Sequence, residues 1–204
     1  TDHVSGLDLI SARYGIPVYG SRGTIGALME KGFFKRGQEV HILDGPVEAA
    51  GYLVTPFPTP HDSAESTGFH VDTESGRSVG ICTDLGYPSE EVMRGLYGCD
   101  FVRMESNYDR KTLLTGSYPP FLKQRIRSRN GHLSNDQCAQ TLEQLICGGA
   151  TQFVLGHLSK ENNRPEIALG HTRAYLAEKS MEAGRDYTAD VLPCVTEGRR
   201  FEIR

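Results

Sequence analysis

Four short apolar runs, rich in β-branched residues, each end on a side chain that can bind a metal or move a proton. In the clearest of them, Arg77-Ser78-Val79-Gly80-Ile81-Cys82-Thr83 climbs to Asp84 and then meets Leu85-Gly86. That pattern reads as a buried strand ending in a turn, with the carboxylate at its tip. Val54-Thr55-Pro56-Phe57 leads in the same way to His61, Phe101-Val102-Arg103-Met104 to Glu105, and Phe153-Val154-Leu155-Gly156 to His157. Strands that deliver His, Asp, Glu and His to one rim form a scaffold suited to hard or borderline metal ions, and an Asp2-His3 pair at the start of the chain adds to the set.

The segments between these runs alternate in character. Val4, Leu7, Ile10 and Tyr14 have helical spacing that stops at Gly15, and Ile16-Pro17-Val18-Tyr19 reads as a short strand. A small helix is expected over 24–31, and Glu39-Val40-His41-Ile42-Leu43 alternates like a half-buried strand, in which His41 is an ordinary strand residue. The strand over 51–60 carries three prolines, which assigns it to a sheet edge or a strand exit. Two strands, 68–72 and 77–83, flank Thr73-Glu74-Ser75-Gly76, which is hairpin chemistry. Ser89 is placed to cap a helix over 90–97, and Ser134-Asn135-Asp136-Gln137 has the form of a capping box. Pro165 opens a long last helix to Ala183, and the tail over 190–195 and 200–203 reads as a β-ribbon. Between them, 106–131 breaks the alternation with Tyr118-Pro119-Pro120 and a basic run, Lys123, Arg125, Arg127 and Arg129, which is either a solvated face or a phosphate-facing patch. Helices alternating with strands, interrupted by hairpins, predict an α/β chain of layered sheets and flanking helices. The 204 residues contain no linker or repeat, so one domain spanning 1–204 is expected.

A net charge of −4 and a pI near 6.0 argue against a basic nucleic-acid coat, though not against a local basic patch. Five cysteines, an odd number without CxxC spacing, suggest reduced thiols in a cytoplasmic protein. No apolar run is long enough to span a bilayer, so no membrane partner is expected. The first residue is not Met, and a further segment is expected to precede it.

Thr1-Asp2-His3-Val4-Ser5-Gly6-Leu7 resembles the right half of the HxHxDH motif of the metallo-β-lactamase fold, followed by its usual helix. His61, Asp84 and His157 are similar, in order, to that fold's isolated His, bridging Asp and last His. Pro60-His61-Asp62, Thr83-Asp84-Leu85-Gly86, Glu105-Ser106-Asn107-Tyr108-Asp109, Gly131-His132-Leu133-Ser134-Asn135 and Gly156-His157-Leu158-Ser159-Lys160-Glu161-Asn162-Asn163 narrow the resemblance to the YycJ (WalJ) branch, bacterial proteins implicated in DNA exonuclease activity and similar to transfer-RNA 3′-processing endonucleases. The resemblance implies a four-layer αβ/βα sandwich whose first strands, with the motif's first two histidines, lie before Thr1. It implies two divalent metal ions, Zn or Mn with Fe as a further option, held by Asp2, His3, His61, Asp84 and His157, with Asp2 also working on the attacking water. It further implies that His132, oriented by Glu105, stabilises or protonates the leaving oxygen.

The resemblance further implies metal-dependent phosphodiester hydrolysis on DNA, as a 5′-directed exonuclease. Ser134 and Asn135 at a helix start, Lys123 and Arg125 in the basic run, and Asn162 beyond His157 are the candidate phosphate contacts. An RNA-processing nuclease, a small-molecule thioester or lactone hydrolase, and a metal-bound scaffold without turnover stay open as alternatives. The basic run is unexplained by the small-molecule reading, and the Glu105–His132 pair by the scaffold.

Overall fold

The computed structural model describes residues 3–35, 37–192 and 200–203. Two helices and a small parallel sheet come first: α1 (Leu7–Tyr14), β1 (Val18–Gly20), α2 (Arg22–Glu30) and β2 (Val40–Ile42). Gly15 ends α1 in the left-handed conformation, where a side chain would be strained. Ser21 caps α2, and its hydroxyl also donates to the carbonyl of Glu65, which docks this unit on the loop after β4.

The main sheet has seven strands in sequence order: β3 (Val47–Ala49), β4 (Tyr52–Pro58), β5 (Thr67–Thr73), β6 (Ser78–Cys82), β7 (Phe101–Glu105), β8 (Gln152–Gly156) and β9 (Thr188–Val191). The first four form an antiparallel meander, and β6 to β9 run parallel. Parallel neighbours need crossovers. These are α3 (Glu90–Leu96), then α4 (Arg110–Thr115), α5 (Pro120–Ile126) and α6 (Asn135–Cys147), and finally α7 (Pro165–Glu178). Val92 and Leu96 of α3, Cys138, Leu142 and Leu145 of α6 and Leu176 of α7 pack with Val102, Met104, Phe153 and Leu155 of the central strands into one core. The result is a mixed sheet with flanking helices, as expected.

Both caps form as the sequence indicates. Ser89 accepts from the Val92 amide, and the capping box closes at Ser134 with Gln137. Three expectations change. The proline-bearing strand β4 is second from the edge, because β3 pairs outside it; that pairing stops at Val54, so Pro56 and Pro58 fall beyond its reach. The last helix ends at Glu178 rather than Ala183, with Ser180 in the left-handed conformation beyond it. Among the described residues the tail forms no ribbon: β9 joins β8 in parallel and residues 200–203 form no strand, while 193–199 lie outside the described residues.

Of the cysteines, Cys82, Cys99, Cys138 and Cys147 are free, and Cys194 lies outside the described residues. Burial pushes the Cys99 and Cys138 thiols up to about 12, so neither is a nucleophile. No helix among the described residues is long and apolar enough to cross a membrane.

Candidate metal centre

The parallel register decides where the chemistry sits. β6, β7 and β8 end together, with Cys82 opposite Met104 and Glu105 opposite Gly156. The residues just past these ends, Asp84, Glu105 and His157, therefore meet at one rim. His61 arrives from the exit of β4, and His132 from the turn between α5 and α6.

Asp84 is the hub. Its Oδ2 lies 2.7 Å from Nε2 of His3, and its Oδ1 lies 3.4 Å from Nε2 of His61 and 3.7 Å from Nε2 of His157. Asp84 and His157 both have positive φ, 57° and 55°, a conformation in which non-glycine residues are uncommon and which aims each side chain inward from its strand end. Burial by itself would raise the Asp84 carboxyl, but the His3 hydrogen bond and the charges of His157, His3 and His61 outweigh it and hold the group at about 2.

Glu105 lies beneath, with no solvent exposure. Its Oε1 accepts from Nδ1 of both His132, at 2.8 Å, and His157, at 2.6 Å. Its Oε2 accepts the backbone N–H groups of Leu85 and Leu133, each at 3.2 Å. Burial opposes ionisation here too, yet the two imidazoles keep the carboxyl below its usual range. With four donors on two oxygens, Glu105 is committed as an orienting group.

These contacts fix the imidazoles. Nδ1 of His61 faces the carbonyl of Gly131 at 2.9 Å, and a carbonyl can only accept, so Nδ1 carries the proton. A neutral His61 then turns an Nε2 lone pair toward the Asp84 carboxylate, and His157, held by Glu105, does the same. Lone pairs facing a carboxylate repel unless protons or a cation lie between them. Protonating every ring would crowd like charges, since ring centroids lie 5.1 Å apart for His3–His157, 5.0 Å for His61–His132 and 5.4 Å for His132–His157. A divalent cation satisfies all of them, and a ligating His whose other nitrogen is held by a carboxylate or carbonyl is the usual arrangement at metal sites. Ligand-capable atoms of Asp84, Glu105, His132 and His157 all fall within 4.8 Å of one another. Of these four, Glu105 belongs to the outer support for the reason just given.

The structure thus brings His3, His61, Asp84 and His157 together, with Glu105 and His132 against them. Asp2 lies outside the described residues. The candidate phosphate contacts divide. Ser134, Asn135 and Asn162 are buried, at 0 %, 1 % and 2 % exposure, and their side chains have partners inside the protein. The Ser134 hydroxyl closes its capping box; Asn135 Oδ1 accepts from Ser106 Oγ and Asn163 Nδ2; Asn162 Nδ2 and its own backbone N–H donate to Ser159 Oγ. Three loops leave β7, α5 and β8 side by side, and their buried backbone needs such internal partners. Asn107 belongs to this network: its Nδ2 donates to the carbonyl of His157, at 2.8 Å, securing the left-handed turn. Lys123 and Arg125 stay at the surface. The Lys123 ammonium donates to the carbonyls of Leu114 and Gly116, and Arg125 forms a two-pronged pair with Asp62, at 2.5 and 2.8 Å.

The Asp62–Arg125 pair was not anticipated from the sequence. It ties α5 to the residue after His61, while the Asp62 N–H donates to the carbonyl of Asn130. The hydrogen bond from Arg125 holds the Asp62 carboxyl below its usual range. Gly131 is required at this crossing, because a Cβ there would overlap the carbonyl oxygens of Arg125 and Ile126. The adjacency of Asp62 to a candidate ligand was the one available signal.

The beta-lactamase superfamily domain matches residues 1–158. The chain is 31% identical over 189 residues to exodeoxyribonuclease YycJ of Bacillus anthracis and 30% identical over 191 residues to exodeoxyribonuclease WalJ of Streptococcus pneumoniae. Each alignment covers 92% of this chain and 71% of the relative. Among solved structures, the metallo-beta-lactamase fold protein YhfI of Bacillus subtilis superposes with a TM-score of 0.66 at 14% identity, covering 94% of this chain and 70% of that one. Zn(2+)-bound PqqB of Methylobacterium extorquens gives 0.62 at 16% identity, covering 90% and 66%. At these identities the two structures speak for the fold alone.

Proposed function

The chain belongs to the beta-lactamase superfamily, in its metallo-β-lactamase fold, and from that premise we propose that it is a metal-dependent DNA exonuclease. The observation that carries the reading is the ring of imidazole nitrogens of His3, His61 and His157 turned on the Asp84 carboxylate, with His61 fixed from behind by Gly131 and His157 by Glu105. The donor set fits divalent ions that take nitrogen and oxygen ligands, and none of the described cysteines stands at a ligand position. His3, His61, Asp84 and His157, with Asp2 from the sequence, would hold two such ions, Zn or Mn. When bound, the pair would supply Lewis acidity and a water acidified toward neutral pH, suited to in-line displacement at phosphorus.

The chain's own groups would do the rest. Glu105 keeps the proton on Nδ1 of His132, leaving Nε2 to deliver or hold a proton at the leaving oxygen. With its side chain 15 % exposed, His132 can touch a bound phosphodiester and still be shielded. Arg125 and Arg127, on the flanking helix and its end, would meet the nucleic-acid backbone by charge. The matched exodeoxyribonucleases support DNA as the substrate, the basic segment speaks against a small-molecule ester, and the free thiols agree with a reducing cytoplasm.

Cleavage of end-labelled single- and double-stranded DNA and RNA, with added Mn²⁺ or Zn²⁺, tests the proposal. Stepwise shortening of DNA that stops on chelation is expected. The direction we propose, from a 5′ end, rests on the resemblance alone and is read by placing the label at either end. Preferential cutting of RNA, or hydrolysis confined to small esters, would overturn the assignment.

A further inference from the structure

Charge is unevenly distributed along this chain. Between Asp109 and Asp136 lie Arg110, Lys111, Lys123, Arg125, Arg127 and Arg129 with no acidic residue among them, in a chain of net charge −4. This segment forms α4 and α5, which share a small core of Tyr108, Leu113 and Ile126 flanked by Tyr118 and Leu122. Leu122 and Ile126, four residues apart, make the inward stripe of α5. Phe121 and Arg125 have the same spacing and share the neighbouring stripe. Arg125 reaches Asp62, next to His61, so this stripe runs up to the rim of the metal centre.

Phe121 departs from the logic of that surface. It is 72 % exposed, the most exposed of the described large apolar side chains, and it stands among cations. It is also held on a firm support. Pro119 and Pro120 start α5, and the Lys123 ammonium ties the helix to the carbonyls at the end of α4. Phenyl has no hydrogen-bonding group with which to read a base edge. What it offers is an exposed, flat π-face on a well-supported helix, on the same stripe as Arg125. A polyanion is the ligand that this charge pattern selects, and the polyanion with unstacked aromatic faces to cover a phenyl ring is a single-stranded nucleic acid.

We infer that Phe121 is a stacking platform for a nucleobase of a single-stranded DNA end, set beside the backbone track of Arg125 and Arg127. The inference rests on the nuclease reading above and refines it: the chain takes an unpaired end and grips it without regard to base identity.

The test compares binding of an oligothymidylate with that of an abasic oligomer of equal length, which has the same phosphates and no bases. Binding is read by fluorescence anisotropy, without added divalent ion so that nothing is cut. Phe121→Ala should weaken oligothymidylate binding by about 5- to 150-fold, the range for losing one base–aromatic stack. It should leave abasic binding and the log–log salt slope unchanged, because no phosphate contact is lost. Phe121→Trp should restore the affinity. Equal binding of oligothymidylate by Phe121→Ala and the parent would remove the platform and leave the nuclease reading intact. An equal loss on both oligomers would reassign Phe121 to local structure, and failure of the parent chain to bind any DNA would overturn both readings.

Discussion

Nδ1 of His157 lies 2.6 Å from Oε1 of Glu105, and that carboxylate has no solvent exposure. A buried charge of this kind persists only when fully hydrogen-bonded, and here two imidazoles and two backbone N–H groups do it. The contact explains how His157 keeps one tautomer and one direction although its backbone is left-handed.

Glu105→Gln keeps the shape and puts an amide N–H₂ where a donor already stands. Whichever way the amide turns, its N–H₂ faces either the two imidazoles or the N–H groups of Leu85 and Leu133, so one pair of donors loses its acceptor and the support of both rings is disturbed. Metal affinity should fall about 10- to 100-fold, the usual effect of removing an orienting group behind a ligand. Competition against a chelating dye measures it, and unchanged affinity would remove Glu105 from the support of the site.

His132→Ala separates turnover from metal binding. Nδ1 of His132 is engaged by Glu105, and its place between α5 and α6 lies beside the ligands. The variant should retain its metal while single-turnover cleavage drops by about 10²- to 10⁴-fold. Metal analysis on the same preparation decides the outcome. Loss of the ion would make His132 a ligand, and full activity would take it out of the mechanism.

Arg125 and Arg127, replaced together by Ala, should flatten the salt dependence of single-strand binding by at least about 0.7 in log–log slope, the value for one phosphate contact, because Asp62 already balances the Arg125 charge. Lys123→Ala should leave the slope alone and lower the melting temperature, because its ammonium serves two backbone carbonyls. An unchanged slope in the double variant would return both arginines to a solvated helix surface.

Away from the rim, Asp100 joins the start of β7 to the start of β6. Its Oδ2 accepts the Ser78 N–H at 2.8 Å and its Oδ1 accepts from Arg77 at 2.9 Å. The Ser78 N–H, then Arg77, hold this carboxyl below its ordinary 3.8 despite some burial. A carboxyl with a depressed folded-state pKa stabilises the fold at pH values above its unfolded pKa, and that stabilisation is lost as pH falls through the folded value. Asp100→Asn should therefore cost about 1 kcal/mol at pH 7. The gap from the parent should close as the pH drops below 3.8, as read from urea unfolding at each pH.

Much of this was legible because it is local. The strand runs before Asp84, Glu105 and His157, the cap at Ser89 and the capping box at Ser134 depend on residues a few positions apart, and each appears where the spacing puts it. What was not legible depends on distant partners. A polar residue at a helix start reads as a phosphate donor until α6 is packed beneath the loops from β7 and β8. Only then are Ser134 and Asn135 buried, with Asn162 inside the neighbouring loop. Arg125 looked like one cation among several, and only the tertiary fold sets Asp62 against it. The placement of β4 likewise turned on three residues, 47–49, too few to show a strand pattern of their own.

The rim is assembled from residues strung out from His3 to His157, with a helical crossover between each pair of parallel strands. No stretch of the chain holds more than a fragment of it, so the centre cannot mature piecemeal. Closing long crossovers before any reward is gained is the slow part of making a parallel sheet. An ion arriving early would find isolated histidines and bind them weakly, whereas one arriving late would lock a finished frame. An ion held at this rim would therefore stabilise only the finished sheet, and its removal would ease unfolding of all the parallel strands at once.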